Sequence, residues 1–186
     1  MPFAQWRIPL KIYYYFNYRN WLIEGRVLLN DDKTEFLVIG TRQQLNKLNP
    51  SVLHAGDHTI DPSVNVRNLG TILDNSISMN SHINQVCKTA FYHIHNIRRI
   101  SNYLSQESLK RLLVHAFVTS RLDYCNGLLY GFPKYHISKL QRVQNTAARL
   151  ITNTRKYDHI SPALYNLHWL PVFYRIYFKI LIVTFK

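Results

Sequence analysis

Ser81-His82-Ile83-Asn84-Gln85-Val86-Cys87-Lys88-Thr89-Ala90-Phe91-Tyr92-His93-Ile94-His95-Asn96-Ile97-Arg98-Arg99-Ile100 is where the hydrophobic period of the chain turns helical. Ile83, Val86, Cys87, Ala90, Phe91, Ile94, Ile97 and Ile100 form an apolar stripe at steps of three and four, while Asn84, Lys88, His95, Arg98, Arg99 and Asn102 line the other side. The stretch predicts a long amphipathic helix. Downstream, Ser105 can cap a second helix with Glu107 in its first turn and Leu109, Leu112, Leu113, Ala116 and Phe117 on its buried face, running to about Arg121. Gly127, Gly131 and Pro133 break the chain beyond that helix. A third stripe, Ile137, Leu140, Val143, Ala147, Leu150 and Ile151, sets Lys139, Arg142, Thr146 and Arg149 on a separate face. Ser161-Pro162 reads as a cap with a helix-opening proline. Pro171 opens a last helix whose stripe is Val172, Ile176, the Lys179 stem, Ile180 and Val183. Residues 81–186 are therefore expected to form an α-helical bundle.

Upstream of Ser81 the elements are short. Residues 1–20 are aromatic and broken by proline, without clear periodicity; a short helix ending near Gly25 is predicted from Trp21, with Glu24 and Arg26 as solvated charges. Asn30 to Asp32 is turn chemistry, and Phe36 to Ile39, closed by Gly40, suits a strand buried on both faces. Short strands are expected within 51–60, at Val64–Leu69 and at Thr71–Asp74, the last bounded by Gly70 and by an Asp74-Asn75-Ser76 turn. The fold class expected is α+β, a small sheet followed by a helical bundle.

Of 186 residues, 47% are hydrophobic and 13% aromatic, which suits a packed core. The net charge of +13 is divided unevenly: residues 1–80 hold 8 Lys/Arg and 7 Asp/Glu, net +1, while residues 81–186 hold 15 and 3, net +12. Such an excess points first to nucleic acid and second to an anionic membrane surface. Cys87 and Cys125 have no C-x-x-C context and read as reduced thiols, a disulfide between them being unsupported. With no allowed N-x-Ser/Thr acceptor and no signal-peptide core, the expectation is an intracellular protein of cytoplasm or nucleus. No uncharged run reaches roughly 18 residues, so no membrane span is expected.

Catalytic signatures are sparse. His93 and His95 diverge on a helix, and His54 and His58 have only Asp57 and Asp61 near; neither pair belongs to a C₂H₂ or H-E-x-x-H motif, so both read as solvated or packed histidines. There is no glycine-rich phosphate cradle and no G-x-S-x-G elbow, and no small-molecule substrate is evident. Asp31-Asp32 is the only adjacent carboxylate pair and reads as a turn, because a two-metal site needs a further carboxylate in a recognisable setting. Lys33 beside it reads as a solvated turn charge. The helical part carries basic residues instead, Arg98, Arg99, Lys110, Arg111, Lys139, Arg142, Arg149, Arg155 and Lys156, with Tyr103, Tyr135 and Tyr157 among them. Cations along helices neutralise phosphates without reading sequence, and aromatic rings stack on unpaired bases.

Five blocks, in order, resemble the reverse transcriptase of LINE-type, non-LTR retrotransposons of animals. They are Leu29-Asn30-Asp31-Asp32-Lys33-Thr34-Glu35-Phe36-Leu37-Val38-Ile39-Gly40, Asn68-Leu69-Gly70-Thr71-Ile72-Leu73-Asp74, Ser120-Arg121-Leu122-Asp123-Tyr124-Cys125-Asn126, the run from Lys139 to Ile151, and Leu167-His168-Trp169-Leu170-Pro171-Val172. The resemblance implies that residues 27–80 are the C-terminal end of a polymerase palm and 81–186 its basic thumb, with residues 1–26 unassigned. It makes Lys33 the counterpart of a palm lysine that assists nucleotide addition, Leu69–Asp74 the region gripping the primer end, and template–primer (RNA or RNA–DNA duplex) the partner. The Mg²⁺ it implies belongs to the intact enzyme. This chain has no Tyr/Phe-x-Asp-Asp and no upstream catalytic Asp block. It is therefore expected to be a truncated, catalytically silent copy without a cofactor of its own. The other expectation is a non-catalytic helical protein that binds a protein partner or an anionic membrane through the Val172–Phe185 helix.

Overall fold

The computed structural model describes residues 21, 24–26, 33–47, 52–55, 58–113 and 119–185. The chain forms two compact units, one up to Val66 and one from Arg67 on. The class is mixed: mainly helical, with short strands in two-stranded sheets.

In the first unit, β1 (Phe36–Leu37) runs parallel to β4 (Pro62–Ser63), and β2 (Leu53–Ala55) pairs antiparallel with β3 (His58–Ile60) in the register Leu53↔Ile60. The expectation of a strand buried on both faces at 36–39 is not met. Only two residues pair, both are half-buried, and Ile39 is 54% exposed. A continuous apolar run is buried on both faces only where layers cover both. Helix α1 (Arg42–Lys47) begins with a capping box: Gln44 N–H donates to Thr41 Oγ1 at 3.3 Å while Thr41 N–H donates to Gln44 Oε1 at 3.0 Å. Near Trp21, Gly25 N–H donates to the Trp21 carbonyl at 3.0 Å, and Glu24 and Arg26 are exposed as the sequence suggests. Asp31, Asp32 and Asp57 lie outside the described residues, as do the side chains of His54 and His58.

The second unit opens within β5 (Asn65–Asn68), which forms a hairpin with β6 (Thr71–Asp74). Its two-residue loop has φ of 46° at Leu69 and 86° at Gly70, the left-handed pair that a type I′ turn requires. After β6 the Asp74 carboxylate gathers the chain: Ser78 N–H and Oγ each donate to it at 2.6 Å, and Ser76 N–H and Oγ at 3.2 Å. Those bonds fix the turn that delivers Met79, 1% exposed, into the core at the start of α2 (Asn80–Ile100).

Helix α2 buries Ile83, Ala90, Ile94 and Ile97 and packs most broadly on α5 (Lys134–Thr152), which buries Leu140, Val143, Ala147 and Ile151. Phe91 and Ile100, placed in the stripe by sequence, are 41% and 48% exposed because they fall at its margins. Ser105 does cap α3 (Gln106–Arg111), accepting from Ser108 N–H at 3.2 Å; Leu109 and Leu113 are buried, while Ala116 and Phe117 lie outside the described residues. Helix α4 (Thr119–Asp123) leads into a 3₁₀ turn, Asn126–Leu129. Helix α6 (Ser161–Asn166) takes Ser161 as its first residue rather than its cap, with Pro162 in the first turn. Its C-terminus is a Schellman motif with His168 in the left-handed position: Trp169 N–H reaches Leu164 O at 2.8 Å and His168 N–H reaches Tyr165 O at 2.9 Å.

Helix α7 (Val172–Thr184) buries only Val172 and Ile176. Val183, expected in its stripe, is 66% exposed. The first N–H of α7 has no partner in its own helix, and Gln141 supplies one, its Oε1 accepting from Val172 N–H at 2.9 Å. Gln144, 1% exposed, donates to the Leu170 carbonyl at 2.9 Å. Both glutamines project from α5, which thus positions the last helix with polar groups inside an apolar core. Among the described residues no helix is long and apolar enough to cross a membrane. Cys87 and Cys125 are both free thiols.

Candidate nucleic-acid interface

At about 100° per residue, the buried residues of α5 occupy one half of its circumference, and Tyr135, Lys139, Arg142, Thr146 and Arg149 occupy the other. Lys139 Nζ donates to Asn84 Oδ1 at 2.9 Å, joining this face to the solvent side of α2. That side presents Lys88, Phe91, Tyr92, His95 and Arg99, all exposed. Two adjacent helices therefore offer cations interleaved with aromatic rings. Sequence patterning names Lys139, Arg142 and Arg99 as candidate contacts, sets Lys88 on the solvent side of its helix without naming it among them, and places Phe91 inside.

Arg149 does something further. Its guanidinium donates to the Arg155 carbonyl and, at 2.8 Å, to the Asp158 carbonyl. Asp158 in turn accepts from Arg155 N–H at 3.1 Å. The loop is folded against the end of α5, presenting Arg155, Lys156 and Tyr157 outward, with Lys156 Nζ 5.6 Å from the Tyr157 ring centre. Arg149 is thus a clamp for the loop as well as a member of the basic face.

The other named cations stand apart. Arg98 is exposed in the last turn of α2, where cations suit the helix dipole. Arg111 on α3 pairs with Glu107 at 3.3 Å, both well exposed, and Lys110 beside it is half-buried. Tyr103 is 88% exposed. Lys33 is exposed in the first unit, with Asp31 and Asp32 outside the described residues. No group of three or more His, Cys, Asp or Glu residues that could hold a metal ion occurs among the described residues.

Two basic residues that sequence patterning leaves out, Arg67 and Arg121, line a small groove of about 150 Å³ with Gly70, Ile72, His82 and Gln85. His82 accepts the Ile72 N–H through Nδ1 at 3.4 Å, and burial lowers its pKa, so the ring is neutral at pH 7. Arg121 also faces His93, whose pKa is lowered by burial first and by this arginine second. The signal for Arg121 lies within the Ser120–Asn126 block. Tyr124 of that block donates its hydroxyl to the Leu69 carbonyl, fastening the hairpin turn beside the groove.

Cys87, half-buried near the seam, has its thiol pKa pushed up by burial and drawn down by Lys139. The seam of α2 and α5 is thus apolar beneath and cationic above. Comparison of the chain with known protein families, with curated proteins and with solved structures finds no match.

Proposed function

We propose that the chain is a piece of the RNA-directed DNA polymerase of a non-LTR retrotransposon, the end of a palm followed by a thumb, which holds duplex nucleic acid without acting on it. The observation carrying this reading is the solvent face shared by α5 and α2, where Lys139, Arg142, Arg149, Lys88 and Arg99 alternate with Tyr135, Phe91 and Tyr92. Basic helix faces of this kind bind phosphates by counterion release, independent of sequence. The blocks of the resemblance also fall at structural joints: Asn68–Asp74 is a hairpin, Ser120–Asn126 fastens it, and Leu167–Val172 is the segment α5 holds.

Phosphoryl transfer needs carboxylates that hold two cations, and the sequence has no Tyr/Phe-x-Asp-Asp to supply them. With primer–template, nucleotides and Mg²⁺ the expected result is no incorporation; incorporation by this chain alone would overturn the silent assignment. Binding is tested by titrating labelled RNA–DNA duplex across a salt series. Each phosphate neutralised contributes about −0.9 to the log–log slope on B-form duplex, so four engaged cations give a slope of roughly −3 to −4. A slope near zero would sink the reading.

A second reading, a non-catalytic interaction protein, is favoured by α7, whose outward Tyr174, Phe178, Leu181 and Ile182 are 55–62% exposed. Co-sedimentation with anionic vesicles, without duplex affinity, would select it.

A further inference from the structure

At about 100° per residue, Phe173, Tyr174, Tyr177, Phe178, Leu181 and Ile182 fall within one half of the circumference of α7, the half turned away from the buried Val172 and Ile176. No charged side chain lies on that arc. Its rings touch: the Phe173 centroid is 4.6 Å from that of Tyr177 and 5.4 Å from that of Tyr174, and Tyr130, just past the Asn126–Leu129 turn, meets Tyr177 edge-on at 5.1 Å. These five aromatic residues are 40–58% exposed, which leaves about 500 Å² of ring-bearing surface uncovered. Leu181, Ile182 and Phe185, 55–90% exposed, extend the patch to roughly 800 Å². The largest patch of a typical monomer is about 300–600 Å², whereas each partner in a standard protein–protein interface buries about 800 Å².

Charge narrows the choice of occupant. Helices that lie on an anionic bilayer set Lys and Arg beside their apolar face. Helix α7 carries two cations, Arg175 and Lys179, and Arg175 is tied to Asp123. Lys139, Arg142 and Arg149 project from a different side of α5 than Gln141 and Gln144, which hold the start of α7. An acidic protein partner would likewise find no cation on the arc. The surface that fits is another apolar, uncharged one, and the arc is itself such a surface. Its shape agrees. At one end Phe173 and Tyr174 border a groove of about 420 Å³ completed by Lys134, Ile137, Ser138 and Gln141, and about two turns further on Leu181 and Ile182 protrude. We propose that the occupant is a second copy of this chain, the two α7 helices crossing antiparallel at Phe178, the midpoint of the helix. That arrangement brings Leu181 and Ile182 of each copy to the Phe173–Tyr174 groove of the other, so both grooves fill at once and the pair closes as a two-fold dimer. The basic face of α5 and α2 stays uncovered, and the proposal does not depend on what that face binds.

The test is sedimentation velocity of the full chain across a concentration series at several salt concentrations. The expected result is a monomer–dimer equilibrium that tightens as salt rises, because each chain carries +13 and screening relieves the repulsion between copies. Duplex binding runs the opposite way with salt. Phe178→Glu, which sets like charges against each other at the two-fold axis, should weaken dimerisation at least tenfold with unchanged helicity by circular dichroism. In a second variant, Phe178→Cys, a short bismaleimide should link two chains, while Tyr157→Cys on the exposed loop after α5 should give no more linked product than wild type. A monomer at every concentration, open-ended aggregates in place of a closed dimer, a dimer unaltered in folded Phe178→Glu, or equal linking of the two cysteine variants would overturn the proposal. Co-sedimentation of a strictly monomeric chain with anionic vesicles would overturn it in favour of a membrane surface. A monomer that still binds duplex removes only the dimer, and a dimer without duplex affinity removes only the basic interface.

Discussion

Arg175 Nη1 lies 2.7 Å from Asp123 Oδ2, an ion pair that joins α7 to α4 across 52 residues of chain. The partners are unequal in solvent, with side-chain exposures of 15% for Arg175 and 41% for Asp123. Removing Asp123 strands a largely buried cation, whereas removing Arg175 leaves a carboxylate that water reaches. Asp123→Ala should therefore cost more than Arg175→Met, about 2–3 against about 1–2 kcal/mol, after discounting the exposed end. Urea denaturation of both variants and the double variant measures this; a coupling energy near zero would show the pair to be idle.

The hairpin turn holds Leu69 at a φ of 46°, where a branched apolar side chain is disfavoured. Leu69→Asn supplies the residue that a type I′ turn prefers and should stabilise the protein by about 0.5–1 kcal/mol. Gly70→Ala should destabilise it by about 1 kcal/mol or more, since Gly70 stands at a φ of 86°. Tyr124→Phe, which removes only the hydroxyl on the Leu69 carbonyl, should lower the melting temperature less than Gly70→Ala does, because the site is exposed to water. Thermal melts of the three variants give the order; a destabilised Leu69→Asn would contradict the turn.

Burial of Asp74 would raise its pKa, but the hydrogen bonds from Ser78 and then Ser76 outweigh it and hold the carboxyl below its ordinary value. A carboxylate favoured in the folded state stabilises fully above its unfolded pKa, near 3.9, and loses that contribution as pH falls through the folded value. Asp74→Asn should cost about 1–3 kcal/mol at pH 7, and the gap to wild type should narrow below about pH 4. A gap constant between pH 7 and pH 3 would refute the linkage.

Arg142 and Arg149 share a face but not a role. Arg142→Ala should lower duplex affinity and make the salt slope shallower by about 0.9 while leaving the melting temperature unchanged. Arg149→Ala should do the same and also release residues 155–158, whose carbonyls it holds, which faster proteolysis within that loop would report. Equal protease sensitivity in the two variants would deny Arg149 its clamping role.

The long helices are legible in the sequence because Ile83, Ala90, Ile94 and Ile97, and likewise Leu140, Val143, Ala147 and Ile151, repeat at helical spacing. The turns at Gly70 and Asp74 are legible from residue type. Periodicity draws a stripe without fixing its margins, so Phe91 and Ile100 fall inward by pattern and are exposed in the fold. The strand near Phe36 carries no information about how many partners cover it. Pairings such as Arg175 with Asp123, Tyr124 with Leu69, or Gln141 with Val172 join residues too distant in sequence for any local pattern to reveal. The basic face is half legible: its cations can be counted, but the seam at Lys139 and Asn84 emerges only in three dimensions.

The Leu170 carbonyl accepts Gln144 from α5 and Arg175 from α7, and Gln141 receives the first N–H of α7. These bonds share the junction at Leu170–Val172, so α7 has no inexpensive way to swing out while the rest of the unit stays folded. Amide protons in its first turns should exchange with deuterium only as slowly as those of central α5, in one cooperative opening. Its apolar outer surface is then a fixed feature of the folded unit, offered to the surroundings for as long as the native state lasts.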